Sequence, residues 1–447
     1  MELLAQIPLI GGFLKFLVPF LGVLTVVVFV HEFGHYIVGR WCGIRAEVFS
    51  VGFGKPLLKW TDRWGTCWQI AVLPLGGFVK FVGDMDPASA GRIDADQLSP
   101  GENKVAFHNA GLLRRVLTVA AGPVANFLLS VAIFAGILLW AGQSSDEPIV
   151  GSIGAEASAD VGFEAGDRVL SIADQTVVNF GDIIVYLAKT DGAPQNASIV
   201  RNGETRDIVV RYHSSPVISA IDAGMPAAVA GMLAGDIFLS IDGEAIHSYR
   251  DLQLITAAKT HGAEITVDVD RGGEQLTFSF VPALVERSHP ETNEKVLLPT
   301  MGIKGSVLAG IEPERVAVPI HRALSGGFSE TWKIISGTMG YLHDMAFKGA
   351  DTSQLGGPIR IAEISGNAAE QGSSSLIYLI AVLSTSIGLI NLFPIPILDG
   401  GHLMFYAIEF IRGRPVGETA MKVGTMIGLS LVLLLMVFAT YNDLVRL

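Results

Sequence analysis

Apolar residues in this chain gather into four long runs, 13–38, 112–141, 376–396 and 423–440, separated by stretches of mixed character. A helix needs about 20 mostly apolar residues to cross a bilayer, so each run is read as a span. The first contains Lys15 and exceeds the ~7–15 apolar residues of a cleavable leader, and no small-residue cleavage site follows it. It is read as a retained span. The third is interrupted by Pro394 and Pro396 inside its apolar zone and leads directly into Asp399.

Between the first two runs the pattern changes period. Segment 47–84 is dense in aromatic and β-branched residues punctuated by glycine, as in Val48-Phe-Ser-Val-Gly-Phe-Gly54 and Gly76-Gly-Phe-Val-Lys80. None of it is long enough to span as a helix. Hairpin strands at or within the membrane surface fit this pattern, with edges facing protein or a wet cavity.

The stretch 143–375 is too polar for a span and repeats itself. Ala165-Gly-Asp-Arg-Val-Leu-Ser-Ile172 recurs as Ala234-Gly-Asp-Ile-Phe-Leu-Ser-Ile241, and Arg201-Asn-Gly-Glu204 recurs as Arg271-Gly-Gly-Glu274. Two consecutive small β-rich domains are expected, and the A-G-D turn before a strand resembles that of PDZ domains, which take extended peptides by strand addition.

The expected fold class is therefore a mixed α/β membrane protein with about four transmembrane helices, a membrane-associated β-hairpin region and two PDZ-like domains. Its expected divisions are a first span at 1–40, the hairpin region at 41–111, a second span at 112–142, PDZ-like domains at 143–213 and 214–285, a linker with amphipathic helices at 286–375, a third span at 376–402, and a connecting helix with the fourth span at 403–447.

Composition supports the membrane class: 50% of residues are hydrophobic and 17% charged, against about 25% charged in soluble domains. A net charge of −12 gives nucleic acid no electrostatic reason to bind. Basic residues crowd the loop after the first span (Arg40, Arg45, Lys55, Lys59, Arg63, Lys80) and the short loop before the fourth (Arg412, Arg414, Lys422). Basic loops stay in the cytoplasm, so both termini and 143–375 are expected outside, in the periplasm if the membrane is a bacterial inner membrane. Cys42 and Cys67 do not make a disulfide framework and are read as plain thiols.

The chemistry sits in two of the runs. His31-Glu32-Phe33-Gly34-His35 is an H-E-x-x-H at the end of the first span. Residues four apart share a helix face, so His31 and His35 can hold one zinc while Glu32 serves as general base. Three ionisable groups in a spanning helix cost about 2.5–3.5 kcal/mol each on insertion scales, and metal coordination offsets this. A bland helix end with polar histidines is the competing reading. A catalytic zinc takes three protein ligands and keeps one position open. Asp399 is the favoured third ligand, with His402 as competitor.

The H-E-F-G-H of the first span together with Asn391-Leu-Phe-Pro-Ile-Pro-Ile-Leu-Asp399-Gly-Gly in the third resembles the site-2 proteases. Gly52-Phe-Gly-Lys55, Leu73-Pro-Leu-Gly-Gly77, Gly122-Pro-Val-Ala-Asn126 and Gly356-Gly-Pro-Ile359 extend the resemblance along the chain. The resemblance implies one zinc per chain and a single-span membrane protein as substrate, typically an anti-sigma factor, cut within its transmembrane segment during an envelope stress response. It also implies that the substrate pairs as a strand with the hairpin around Gly52, Phe53, Gly54, Gly76 and Gly77 and touches Asn391, Pro394 and Pro396. Three other functions compete. A non-catalytic zinc-binding PDZ scaffold has no use for Glu32, a zinc transporter needs more intramembrane ligands, and a serine protease needs a G-x-S-x-G elbow that is absent.

Overall fold

The computed structural model describes residues 8–84, 98–153, 161–188, 193–211, 216–221, 225–246, 248–260, 262–288, 295–305, 311–348, 356–370 and 372–446. The chain divides into two compact units, Met1–Trp140 with Val318–Val445, and Ala141–Ala317.

The first unit contains helices α1 (Pro8–Trp41), α2 (Leu112–Ala141), α3 (Ile320–Lys348), α4 (Pro358–Glu370), α5 (Ser373–Asn391), α6 (Asp399–Arg412) and α7 (Glu418–Arg446), with strands β1 (Ala46–Thr61) and β2 (Cys67–Phe81). Four helices are long and apolar enough to cross a membrane: Leu14–Trp41, Leu112–Ala141, Ser373–Asn391 and Thr419–Leu444. At most 33% of the apolar window of any of them is buried inside the protein. Helices apolar all round and yet uncovered by protein are suited to face lipid. The third is shorter than the apolar run that predicted it. It stops at Asn391 because residues preceding proline avoid the α conformation and Pro394 and Pro396 have no N–H to continue the ladder.

Small residues let these helices approach. A buried polar seam joins α2 to α5, where Ser130 Oγ donates to the Ala381 carbonyl at 2.6 Å, Thr385 Oγ1 to Ser130 Oγ at 2.8 Å, and Ser384 Oγ to the Asn126 carbonyl at 2.9 Å. Hydroxyls of this kind join helices where no hydrophobic effect does. From α7, the buried Asp443 accepts the N–H groups of Gly357 at 2.9 Å and of Ile359 and Arg360 at 3.1 Å, and so caps the start of α4.

Strands β1 and β2 form the expected hairpin and double back on themselves. Residues 48–51 are partnered by 77–80 and also by 67–70, while 58–61 pair with 67–70. Phe49, Phe81, Phe107 and Tyr36 pack as one core between this sheet and the end of α1.

In the second unit the sequence repeat forms two four-stranded sheets with matching strand order. One runs Gln175–Thr176, Arg168–Ile172, Gln195–Arg201, Glu204–Val210; the other runs Glu244–Ala245, Ile237–Ile241, Ile265–Arg271, Glu274–Phe280. A helix covers each core, Phe180–Ala188 in the first and Tyr249–Ala258 in the second. The charged positions of the repeat pair with each other. Arg201 grips Asp167 through two hydrogen bonds of 2.8 and 2.7 Å, and Arg271 grips Asp236 through two of 2.7 Å.

Each core is closed by a later strand. Ile311–Pro313 pairs with Val150–Ile153, and Ile303–Gly305 pairs with Ile218–Ile221. The boundaries read from the repeat, 143–213 and 214–285, leave out both closing strands, because the repeated motifs end before them. At the base of the unit, Gln143–Ser144 pairs antiparallel with Arg315–Val316.

Candidate metal centre

His31 and His35 lie one helical turn apart on α1, with their ring centroids 4.8 Å apart. Asp399 opens α6, delivered by the turn that follows α5. Gly400 and Gly401 are the reason the turn can fold so tightly. A Cβ at either would collide with carbonyl oxygens of Leu392, Phe393 or Ile395. Asp399 Oδ2 stands 3.1 Å from His31 Nε2 and 3.4 Å from His35 Nε2, and the two Nε2 atoms are 3.2 Å apart.

The tautomers decide what this triangle can hold. His35 Nδ1 lies 2.9 Å from the Thr118 carbonyl oxygen, which can only accept. As a neutral imidazole His35 therefore carries its proton on Nδ1 and turns a lone pair at Nε2 towards the triangle. His31 Nδ1 faces the Asn126 carboxamide at 3.2 Å. With its nitrogen turned to His31, Asn126 leaves Oδ1 buried without a partner. The opposite amide orientation fills the same space and lets Oδ1 accept from His31 Nδ1–H, which frees the second Nε2. Asp399 Oδ2 is itself buried and meets no donor in hydrogen-bonding geometry.

Three electron-rich atoms this close call for a cation. Ligands on a tetrahedral zinc at about 2.0–2.2 Å stand about 3.3–3.6 Å from each other, close to the separations found here. His31, His35 and Asp399 are also the one group of metal-ligating side chains, among the described residues, whose donor atoms lie within 4.8 Å of one another. His402 is outside that group.

Glu32 sits beside His31 in sequence and faces the hairpin. Gly77 leaves room for it, since a Cβ there would stand 3.1 Å from Glu32 Cγ. Gly52 and Gly76 serve the hairpin itself. Both have positive φ, and a Cβ would strike the Leu73 carbonyl at Gly52 and the Phe53 ring at Gly76. Gly54, also at positive φ, has open space around it. Asn391 ends α5, and Pro394 and Pro396 occupy the turn before α6, where Pro396 packs towards Gly424 and Gly428 of α7. No described contact joins Asn391, Pro394 or Pro396 to the three ligands.

Residues without a role in the sequence reading complete the site. Thr118 and Asn126 fix the imidazoles from α2. Gly122, between them, faces both rings, so that a Cβ there would overlap His35 and lie 2.9 Å from His31 Cε1. Gly34 provides the same clearance from α1, against the Ala121 carbonyl and Ala125. For Gly122 and Asn126 the only sequence signal was the Gly122-Pro-Val-Ala-Asn126 motif, and Thr118 lies outside it.

Comparison with known proteins agrees with this chemistry. The family model for peptidase family M50 matches residues 19–435. A protein of Agrobacterium fabrum, provisionally named a zinc metalloprotease, is 38% identical over 435 residues, covering 97% of each chain. One of Neisseria meningitidis serogroup A with the same provisional name is 31% identical and covers 96% of this chain and 99% of its own. The regulator of sigma-E protease RseP of Salmonella typhimurium is 32% identical, covering 96% of this chain and 98% of its own. Among solved structures, the PDZ domain of an SdrC-like protein from Listeria monocytogenes is similar at 18% identity and a TM-score of 0.18, over 21% of this chain and 88% of its own.

Proposed function

This chain belongs to peptidase family M50 and is a membrane metalloprotease, and from that premise we propose that it cuts single-span proteins within their transmembrane segments. The observation that carries the reading is the meeting of His31, His35 and Asp399 beside Glu32, with both histidines inside an apolar helix long enough to span.

We assign His31, His35 and Asp399 as ligands of one zinc ion and Glu32 as the general base. Zinc bound there supplies Lewis acidity, making water reactive near neutral pH and polarising a carbonyl. Glu32 takes a proton from the attacking water and gives it to the leaving amine. Thr118 and Asn126 hold the imidazoles in the metal-binding tautomer throughout. Water can attack a peptide bond only after the substrate helix unwinds, and the freed backbone groups then need partners. The hairpin edge at Gly77, beside Glu32, is placed to provide them by strand addition. Gly52, Phe53, Gly54 and Gly76 on the hairpin, with Asn391, Pro394 and Pro396, complete the proposed substrate contacts.

The name of the Salmonella relative places that protein in sigma-E regulation. By analogy the proposed substrate is a membrane-anchored anti-sigma factor, the membrane a bacterial inner membrane, and unit 141–317 periplasmic. Beside its second sheet a groove between helix Tyr249–Ala258 and residues 298–303, lined by Tyr249, Leu252, Thr256, Met301 and Ile303, is the proposed seat for a peptide tail.

Purified protein incubated with a model single-span substrate tests the reading. Cleavage should stop with a zinc chelator and return with added zinc. Glu32→Gln should retain zinc yet release no product. Turnover by metal-loaded Glu32→Gln would remove the mechanism.

A further inference from the structure

Three guanidiniums gather where α1 leaves its apolar span. Arg40, in the last turn of α1, stacks on the Trp64 ring with its guanidinium carbon 3.4 Å from the centroid, and Arg63 lies 4.0 Å from the same ring. Arg45 reaches Gly65 in the turn between β1 and β2, where a Cβ would stand 2.6 Å from its Nη2. Arg40 and Arg45 line a cavity of about 200 Å³ together with Tyr36, Ile44, Trp64 and Thr66.

The charge in this cavity is unbalanced. Among the described residues, none of the three arginines forms an ion pair. Glu47, two residues after Arg45, pairs with Lys80 at 3.1 Å, and Asp62, next to Arg63, already accepts from four donors: Tyr36 Oη and Trp68 Nε1 at 3.0 Å, and the backbone N–H groups of Trp64 and Thr66 at 2.9 Å. Glu102 is a further charged neighbour of Arg45, and it is half-buried and held by Ser99. Arg40 donates to Tyr36 Oη at 3.2 Å, which orients its fork without neutralising it.

The surroundings set the depth of the cavity. Trp41, the next residue after Arg40, is 76% exposed, and Trp60, Trp64, Leu57 and Leu58 are exposed on the hairpin beside it. Indoles at the end of a spanning helix sit at headgroup level, and a guanidinium fork matches the oxygens of a phosphodiester.

We propose that this cavity binds the phosphodiester headgroup of an anionic phospholipid. The exposed leucines and indoles of the hairpin flank its acyl chains, and the bound lipid holds the hairpin against the membrane surface. The proposal rests on the reading of α1 as a span and not on the protease chemistry.

Native mass spectrometry of the purified full-length protein tests it, after transfer from nanodiscs of phosphatidylcholine with or without phosphatidylglycerol. The wild type should retain one phosphatidylglycerol and no phosphatidylcholine. In R40Q/R45Q retention should fall about tenfold or more, the size expected for two cations facing an anionic headgroup. The control Lys422→Gln, on α7, should retain lipid as the wild type does. Equal retention of phosphatidylcholine, unchanged retention in R40Q/R45Q, or displacement of the lipid by millimolar inorganic phosphate would each overturn the proposal, the last by making the cavity a site for free phosphate. Zinc content reports on folding, because no cavity residue is a proposed metal ligand. If R40Q/R45Q loses zinc, R40K/R45K decides: it keeps the charge and loses the fork, so its retention should fall between the two. A wild type that retained lipid but cleaved nothing would count against the protease reading alone.

Discussion

At the scale of single residues, the metal centre depends as much on what α2 omits as on what α1 supplies. Asn126→Ala removes the described partner of His31 Nδ1 and leaves that ring free to turn. Outer partners of metal ligands typically hold about 10–100-fold in metal affinity, so competition with a chelator should show a loss of that order. Asn126→Asp, which accepts from Nδ1–H without ambiguity, should restore most of it. Gly122→Ala should cost more, because a methyl group would occupy the space of the His35 imidazole, and zinc measured per purified chain should drop well below that of the wild type. The three proposed ligands, singled out in the sequence because ionisable side chains in apolar runs have little use there except to hold a metal, do come together in the structure. Thr118 carried no signal, and Gly122 only that of a motif with no stated role. A carbonyl oxygen and a missing Cβ carry no chemical signature, and their value appears only once α1 and α2 pack.

At the scale of elements, the periodicities gave the right kinds of structure, with both ends of the second span and not those of the third. The apolar runs are helices and 47–84 is a hairpin, since both follow from local pattern. The third helix ended early because proline geometry overrode hydropathy, and the closing strands Ile303–Gly305 and Ile311–Pro313 were missed because three-residue strands have no period to detect. The Asp–Arg pairs of the repeat are a better guide to stability than its glycines. Asp167 is fully buried and Asp236 is 1% exposed, and each has an arginine as its charged partner. Arg201→Ala strands a buried carboxylate in the first sheet, at a cost of about 2–3 kcal/mol once the partial exposure of the arginine is allowed for. Hydrogen exchange on the intact protein should show lost protection in Arg168–Ile172 and Gln195–Arg201, with Ile237–Ile241 unaffected. Equal loss in both sheets would mean that the two cores unfold as one.

At the scale of the whole molecule, the proposed catalytic residues all belong to the apolar unit and the proposed peptide groove to the other. Replacing 143–316 with a short Gly/Ser linker should therefore leave zinc content unchanged. If unit 141–317 screens substrates by size, the shortened enzyme should cut a full-length substrate that the wild type accepts only after its bulky part has been trimmed. Side-by-side digestion of full-length and trimmed substrates checks this, and continued refusal of the full-length substrate would place the screen elsewhere. The sequence alone places the end of the second PDZ-like domain at 285, and the antiparallel pair Gln143–Ser144 with Arg315–Val316 moves the far cut to 316. The segment begins and ends on two paired strands, so its two ends lie side by side. Such a segment can be exchanged between related enzymes, or replaced by an unrelated binding domain whose own termini lie together, without re-threading a single helix of the host. Substrate choice could then be rewired independently of the chemistry that cuts.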